Sequence, residues 1–195
     1  MNNNQVINLS NIEYQSTPFD YFVGTEIFSE GFSLQMLNWL EIEAPWKLVK
    51  KDFYEQYEFN FIDTELPPHL SILQESSSLD FIRLNMEDLF QARLKKTIDF
   101  VAHKLIPGQT IRIHNDYLEG KETHRLLIQL NRGWDTKNGG FLMFFNSSNP
   151  TDIHRIILPT HNTIAGFKIS PTSNHAVSTI KEGERYTLVY SFYNE

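Results

Sequence analysis

Residues 108–116 read Gly-Gln-Thr-Ile-Arg-Ile-His-Asn-Asp, a turn followed by the run Thr110–His114 and then His114-Asn115-Asp116. Alternate residues of a strand share a face, so a strand here would project the His114 imidazole and the Asp116 carboxylate to one side, where a mid-sized cation could take both. A His-x-Asp spacing recurs by chance in many proteins, and a hydrogen-bonded sheet histidine beside a turn-forming Asp is the plainer reading of the pair alone. The surroundings add to it. Beyond Pro107 the chain is a series of short β-rich runs: Thr110–His114, Arg125–Asn131, Gly140–Phe145, Ile153–Pro159, Thr163–Ile169, Ala176–Ile180 and Tyr186–Tyr193. Gly, Asn and Pro punctuate them, which predicts an antiparallel sandwich or barrel.

Working back towards the N-terminus, the spacing predicts a long helix from about Met86 to Leu105. Its stripe is Met86, Leu89, Phe90, Leu94, Ile98, Val101 and Leu105, ended by Pro107-Gly108. His103 would then face solvent near the helix C-terminus. A second helix is predicted from about Ser29 to Glu43, with Phe32, Met36, Leu37 and Leu40 at helical steps and Pro45 beyond. Phe19–Val23 reads as a strand, and Trp46–Phe61 as one or two more. Pro67-Pro68 and Ser76-Ser77-Ser78 bracket a loop region with a short helical piece. Residues 1–17 are a polar, Asn-rich lead-in. The class is α+β, mainly β, in a single domain spanning 1–195: a mostly helical support with N-terminal strands over 1–107 and a β core over 108–195.

Composition narrows the chemistry. With no Cys, thiolate zinc sites, iron–sulfur clusters, disulfides and Cys nucleophiles are impossible, so any metal must be held by His, Asp or Glu. A net charge of -7 argues against a nucleic-acid partner. No apolar run approaches the roughly 20 residues of a membrane helix. The start, MNNNQVINLS, lacks a signal-like pattern, so the expectation is a cytoplasmic protein with no membrane partner. Nothing in the sequence speaks to oligomeric state.

The second half of the metal signal lies downstream, in Ser173-Asn174-His175-Ala176-Val177. Arg185 follows ten residues after His175. Two imidazoles and a carboxylate can form the facial triad of non-haem Fe(II) oxygenases, which leaves coordination positions open. In the run from Arg185 to Ser191, Arg185, Thr187, Val189 and Ser191 share a face. The planar fork of an Arg suits a carboxylate ligand. Taken alone, Arg185 also reads as a surface residue after the Glu182-Gly183-Glu184 turn.

Together these motifs resemble the Fe(II)- and 2-oxoglutarate-dependent oxygenases, in particular the branch similar to prolyl hydroxylases. The resemblance rests on His-x-Asp at His114–Asp116, on "HAVSTIKEGER" from His175 to Arg185, on "RLLIQLNRGWDTKNGGFLMFF" from Arg125 to Phe145, and on "ILPTHNTIAGFKISPTSNHAV" from Ile157 to Val177. It covers about Gly108–Phe192. It implies a double-stranded β-helix (a jelly-roll or cupin-like barrel) with helices packed outside, His114, Asp116 and His175 as iron ligands, and Arg185 as partner of the far carboxylate of 2-oxoglutarate. Gln129 falls where relatives place a polar residue on that carboxylate; the hypoxia-sensing relatives have Tyr there, and Tyr again at the position of Ile111. Arg125 and Thr187 are further co-substrate candidates. The implied reaction uses Fe(II), 2-oxoglutarate and O2, releases succinate and CO2, and hydroxylates an unactivated C–H bond of an amino acid, peptide or related small metabolite, as in biosynthesis. Asp116 favours hydroxylation, because halogenating relatives carry a small residue there. Two other readings are a zinc hydrolase and a non-catalytic small-molecule-binding β-barrel. His124, His154 and His161 read as solvated; Trp134 and Tyr117 read as either a substrate entrance or loop packing.

Overall fold

The structure, a computed structural model, describes residues 6–51 and 54–195. The first five residues of the Asn-rich lead-in, and residues 52–53 within the expected 46–61 strand region, lie outside the described residues. In chain order the elements are β1 (Ile12–Gln15), β2 (Tyr21–Thr25), α1 (Glu30–Ile42), β3 (Lys47–Lys51), β4 (Tyr54–Asn60), α2 (Ser76–Phe90), β5 (Asp99–Leu105) and β6 (Ile111–His114). There follow β7 (His124–Gln129), β8 (Leu142–Phe145), β9 (Ile153–Ile157), β10 (Thr163–Lys168), β11 (His175–Val177) and β12 (Arg185–Phe192). Short 3-10 turns occupy Ser71–Gln74 and Thr136–Asn138.

The strands run in the order β1-β2-β10-β7-β12-β5-β4-β6-β11-β8-β9, with β3 added to β4. The larger part, from β1 to β4 in this order, meets the smaller part, β6-β11-β8-β9, through one pair among the described residues, Tyr54↔Ile111. The two parts fold face to face: Phe144 on β8 packs edge-on against Tyr21 on β2 and Phe167 on β10, at ring-centroid distances of 4.9 and 5.7 Å. The result is a curled double-stranded β-helix. β12 lies between β7 and β5 and is buried along its whole length. Its alternate residues Tyr186, Leu188, Tyr190 and Phe192 join the core beneath the helices, which includes Met36 and Leu40 of α1 and Ile82 and Met86 of α2. Arg185, Thr187, Val189 and Ser191 face the interior between the sheets.

The expected Met86–Leu105 helix is corrected here. α2 runs Ser76–Phe90 and stops at Gln91, whose φ of 48° is left-handed, and 99–105 is a strand. Phe100 and Ala102 face the helix-side core, whereas Val101 and His103 face the interior. A strand buried on both faces loses its polar alternation, so Ile98, Val101 and Leu105 imitated helical steps until pairing with β12 and β4 decided the matter. Ser76-Ser77-Ser78, read as loop, open α2, as serines favour helix starts. α1 matches its expected span, with Ser29 Oγ accepting from Phe32 N at 3.4 Å. Among the described residues no helix is long and apolar enough to cross a membrane.

Candidate functional site

β6 ends at His114, and its antiparallel neighbour β11 begins at His175, opposite it in register. The two rings sit 4.2 Å apart between centroids. Asp116 does not reach them by strand alternation as the sequence suggested, because the strand stops at His114. Its φ of 57° places it in the left-handed region, which Asp tolerates better than most residues. That turn sends Oδ1 to 3.4 Å from His114 Nε2 and Oδ2 to 3.1 Å from His175 Nε2. One donor atom from each of the three residues lies within 4.8 Å of the others, a group that could hold a metal ion.

Both imidazoles are braced alike. His114 Nδ1 lies 2.8 Å from the Arg112 carbonyl oxygen and His175 Nδ1 2.8 Å from that of Ser173. A carbonyl only accepts, so these partners place a proton on Nδ1 of each ring and turn Nε2 towards Asp116. Carbonyl braces of this kind orient metal-ligating histidines. Ser173 Oγ donates to the Asn115 carbonyl at 3.1 Å and Asn115 Nδ2 to that of Pro171 at 3.0 Å, tying the two ligand-bearing loops together. Burial lowers the His175 pKa and favours neutral imidazole. Burial works against the Asp116 charge, but the two imidazoles and Arg125 outweigh it and hold the carboxyl below the usual carboxylate range. An ionised carboxylate beside two imidazoles suits a divalent cation.

Further inside stands Arg185, 3% exposed. Its Nη1 donates to Thr187 Oγ1 at 2.8 Å, and Thr187 Oγ1 donates to Gln129 Oε1 at 2.9 Å. Arg185 Nε and Gln129 Nε2 are buried without a hydrogen-bond partner among the described residues. Burial alone pushes the Arg185 pKa down to about 9. A guanidinium held this way, with spare donors beside it, is prepared for an anion. The Gly139-Gly140 step makes room for it: a Cβ on Gly140 (φ 68°) would meet Ile180 Cδ1 at 2.6 Å and the Arg185 stem at 3.1 Å. Trp134 packs against the same glycine and donates from Nε1 to the Gly139 carbonyl at 2.9 Å, so its role is packing. Tyr117 is 46% exposed.

A cavity of about 240 Å³ joins the two centres, lined by His114, Asp116 and His175 with Tyr54, His103 and Arg185. Residues 100–192 match the family model described as "2OG-Fe(II) oxygenase superfamily". That segment is a little under half of the chain. Over 173 residues, 87% of this chain and 30% of the relative, it is 26% identical to a mouse (Mus musculus) protein named prolyl 3-hydroxylase OGFOD1. It spans about a third of the length of the curated relatives it matches. Among solved structures it resembles a Pseudomonas putida prolyl-4-hydroxylase, with a TM-score of 0.73, 16% identity, and 90% of this chain and 92% of that one covered. A Trichoplax adhaerens prolyl hydroxylase, in complex with a hypoxia inducible factor oxygen degradation domain peptide fragment, gives a TM-score of 0.72 at 13% identity, covering 89% and 83%. At these identities the likeness is one of fold.

The structure thus brings His114, Asp116 and His175 to one point, and Arg185, Thr187 and Gln129 to another. Arg125 stands apart from the second group: it pairs with Asp116 and Glu122. The strand β5 shows what the sequence reading missed. His103 faces the cavity rather than solvent, and burial, with Arg125 and Arg185 nearby, lowers its pKa to about 3, so it is neutral. Tyr54 and Gln56, which line the same cavity from β4, carried no motif signal. Two histidines expected in solvent are also corrected. His124 is 1% exposed and packs against Phe90, while His161 is half-buried with Nε2 3.0 Å from Ser33 Oγ. His154 is exposed, as expected.

Proposed function

We propose that this chain is an Fe(II)- and 2-oxoglutarate-dependent dioxygenase that hydroxylates an unactivated C–H bond of a peptide or related small substrate, releasing succinate and CO2. The observation that carries the reading is the pairing, in one cavity, of a His-Asp-His donor set with a buried Arg that has no anionic partner among the described residues. Two imidazole nitrogens and a carboxylate gathered at one point fit ferrous iron. The spare donors of Arg185 and Gln129 fit a dicarboxylate. A zinc hydrolase leaves that inner polar group without a task.

In this reading His114, Asp116 and His175 hold the metal, and Arg185 takes the far carboxylate of 2-oxoglutarate with Thr187 and Gln129 beside it. Iron with bound 2-oxoglutarate and O2 supplies the oxidising power, coupling decarboxylation of the co-substrate to hydroxylation of the substrate. The protein positions the reacting groups and excludes water. The apolar walls Val101, Leu127, Leu142 and Val189 limit access of water to the cavity. The strands β1 to β5 pair into the same sheet as the later ones, which supports one catalytic unit.

Peptidyl proline is the substrate that the named relatives favour. An open groove of about 980 Å³ runs over Glu58, Asn60 and Pro67 and shares Val101 with the metal cavity, room for a chain rather than for a free amino acid alone. The test is to incubate Fe(II)-loaded protein and 2-oxoglutarate with a proline-containing peptide library. Succinate formation should rise with particular peptides, which gain one oxygen atom. Stimulation only by free amino acids would overturn the peptide assignment.

A further inference from the structure

Arg125 lies on β7, facing the cavity, and its guanidinium is held at three points. Nε and Nη2 donate to the two carboxylate oxygens of Glu122 at 2.9 and 2.6 Å, and Nη1 donates to Asp116 Oδ2. All three side chains are largely buried, at 19, 15 and 16% exposure for Arg125, Glu122 and Asp116. Glu122 is itself fixed, because the next residue is pinned on both sides: Thr123 N donates to the Phe192 carbonyl at 2.8 Å and Ile169 N to that of Thr123 at 2.8 Å. At the other end, Asp116 lies beyond its strand in a left-handed conformation, so backbone pairing does not set the direction of its carboxylate.

Resting on the oxygenase reading, we propose that Arg125 is a positioning residue, clamped by Glu122, that aims the Asp116 carboxylate at the metal point between His114 and His175. It acts through Asp116 and binds no co-substrate. The two-pronged Glu122 contact fixes the plane of the guanidinium, which in turn fixes the carboxylate. A bare positive charge here would repel a metal dication. Glu122 balances that charge at 2.6 Å, so the orienting effect dominates.

The test uses the full chain, stripped of metal and titrated with Co(II), following affinity and the visible spectrum of bound Co(II). Arg125→Met should weaken Co(II) binding by about 10–100-fold, the usual effect of removing an outer partner of a metal ligand, and should alter the spectrum. Arg125→Met combined with Glu122→Gln removes the carboxylate that the single variant would strand at Glu122 and guards against simple misfolding; it should keep the wild-type circular dichroism and be as weak as the single variant. Arg125→Lys should restore part of the affinity. At saturating Co(II), 2-oxoglutarate affinity should change little in all three. Unchanged or tighter Co(II) binding with an unchanged spectrum in the double variant would overturn this assignment and leave the oxygenase reading standing. Wild-type protein that binds no Co(II) would overturn both.

Discussion

Replacing Arg185 by Met should move stability and co-substrate binding in opposite directions. Arg185 is 3% exposed, donates one hydrogen bond to Thr187, and leaves Nε without a partner among the described residues. An uncompensated buried charge costs several kcal/mol, and the charged hydrogen bond returns about 1.5–3 kcal/mol of that. Met fills similar space without a charge, so the ligand-free protein should gain about 1–3 kcal/mol. For a chain of this size each kcal/mol raises Tm by about 2–4 °C. Binding should show the reverse, since the far carboxylate of 2-oxoglutarate loses its partner in a buried site at a cost of about 3–5 kcal/mol. At about 1.4 kcal/mol per decade, Kd rises by roughly two to three decades. Arg185→Lys should fall between, keeping the charge but losing the fork. The assay is thermal unfolding without ligand, beside calorimetric titration of 2-oxoglutarate into Mn(II)-loaded protein. A Met variant that is less stable, yet binds 2-oxoglutarate like the wild type, would make Arg185 a structural residue and refute the reasoning.

Burial holds the ligand-free Arg185 pKa at about 9, so above that pH binding must take up a proton; 2-oxoglutarate Kd should be flat below about pH 9 and rise above it, as calorimetry in alkaline buffers would show. Gly140→Ala should weaken 2-oxoglutarate binding and lower stability by about 1–3 kcal/mol in denaturant titrations, because its Cβ meets Ile180 and the Arg185 stem and its φ is 68°. Burial depresses the His124 pKa to about 4 from 6.5, so the unfolded chain binds more protons between those values; the stability from neutral His124 is present above about pH 6.5 and is lost as pH falls to about 4. His124→Phe should therefore lose less Tm than the wild type across that interval.

The legible parts of this protein were those where chemistry constrains residue type. That His114, Asp116 and His175 gather at one point could be read because a metal site demands particular side chains at fixed separations. The inward face Arg185-Thr187-Val189-Ser191 followed from strand alternation. β5 was illegible for the opposite reason: with Phe100 and Ala102 buried on one side and Leu105 on the other, apolar residues fall at both parities and mimic a helix. That error also sent His103 to solvent. Arg125 was recognised as a site residue, but only the fold reveals that Glu122 and Asp116 flank it. The left-handed turn at Asp116 left no trace beyond the Asn115-Asp116 pair.

The most direct measurement of the central claim is succinate formation from 2-oxoglutarate by metal-stripped protein, with Fe(II) or Zn(II) restored and with His175→Ala alongside. Succinate should appear with Fe(II) only and vanish in the variant, and Zn(II) should inhibit. Succinate formation that proceeds equally with Zn(II), or that survives loss of His175, would contradict an iron centre at His114, Asp116 and His175.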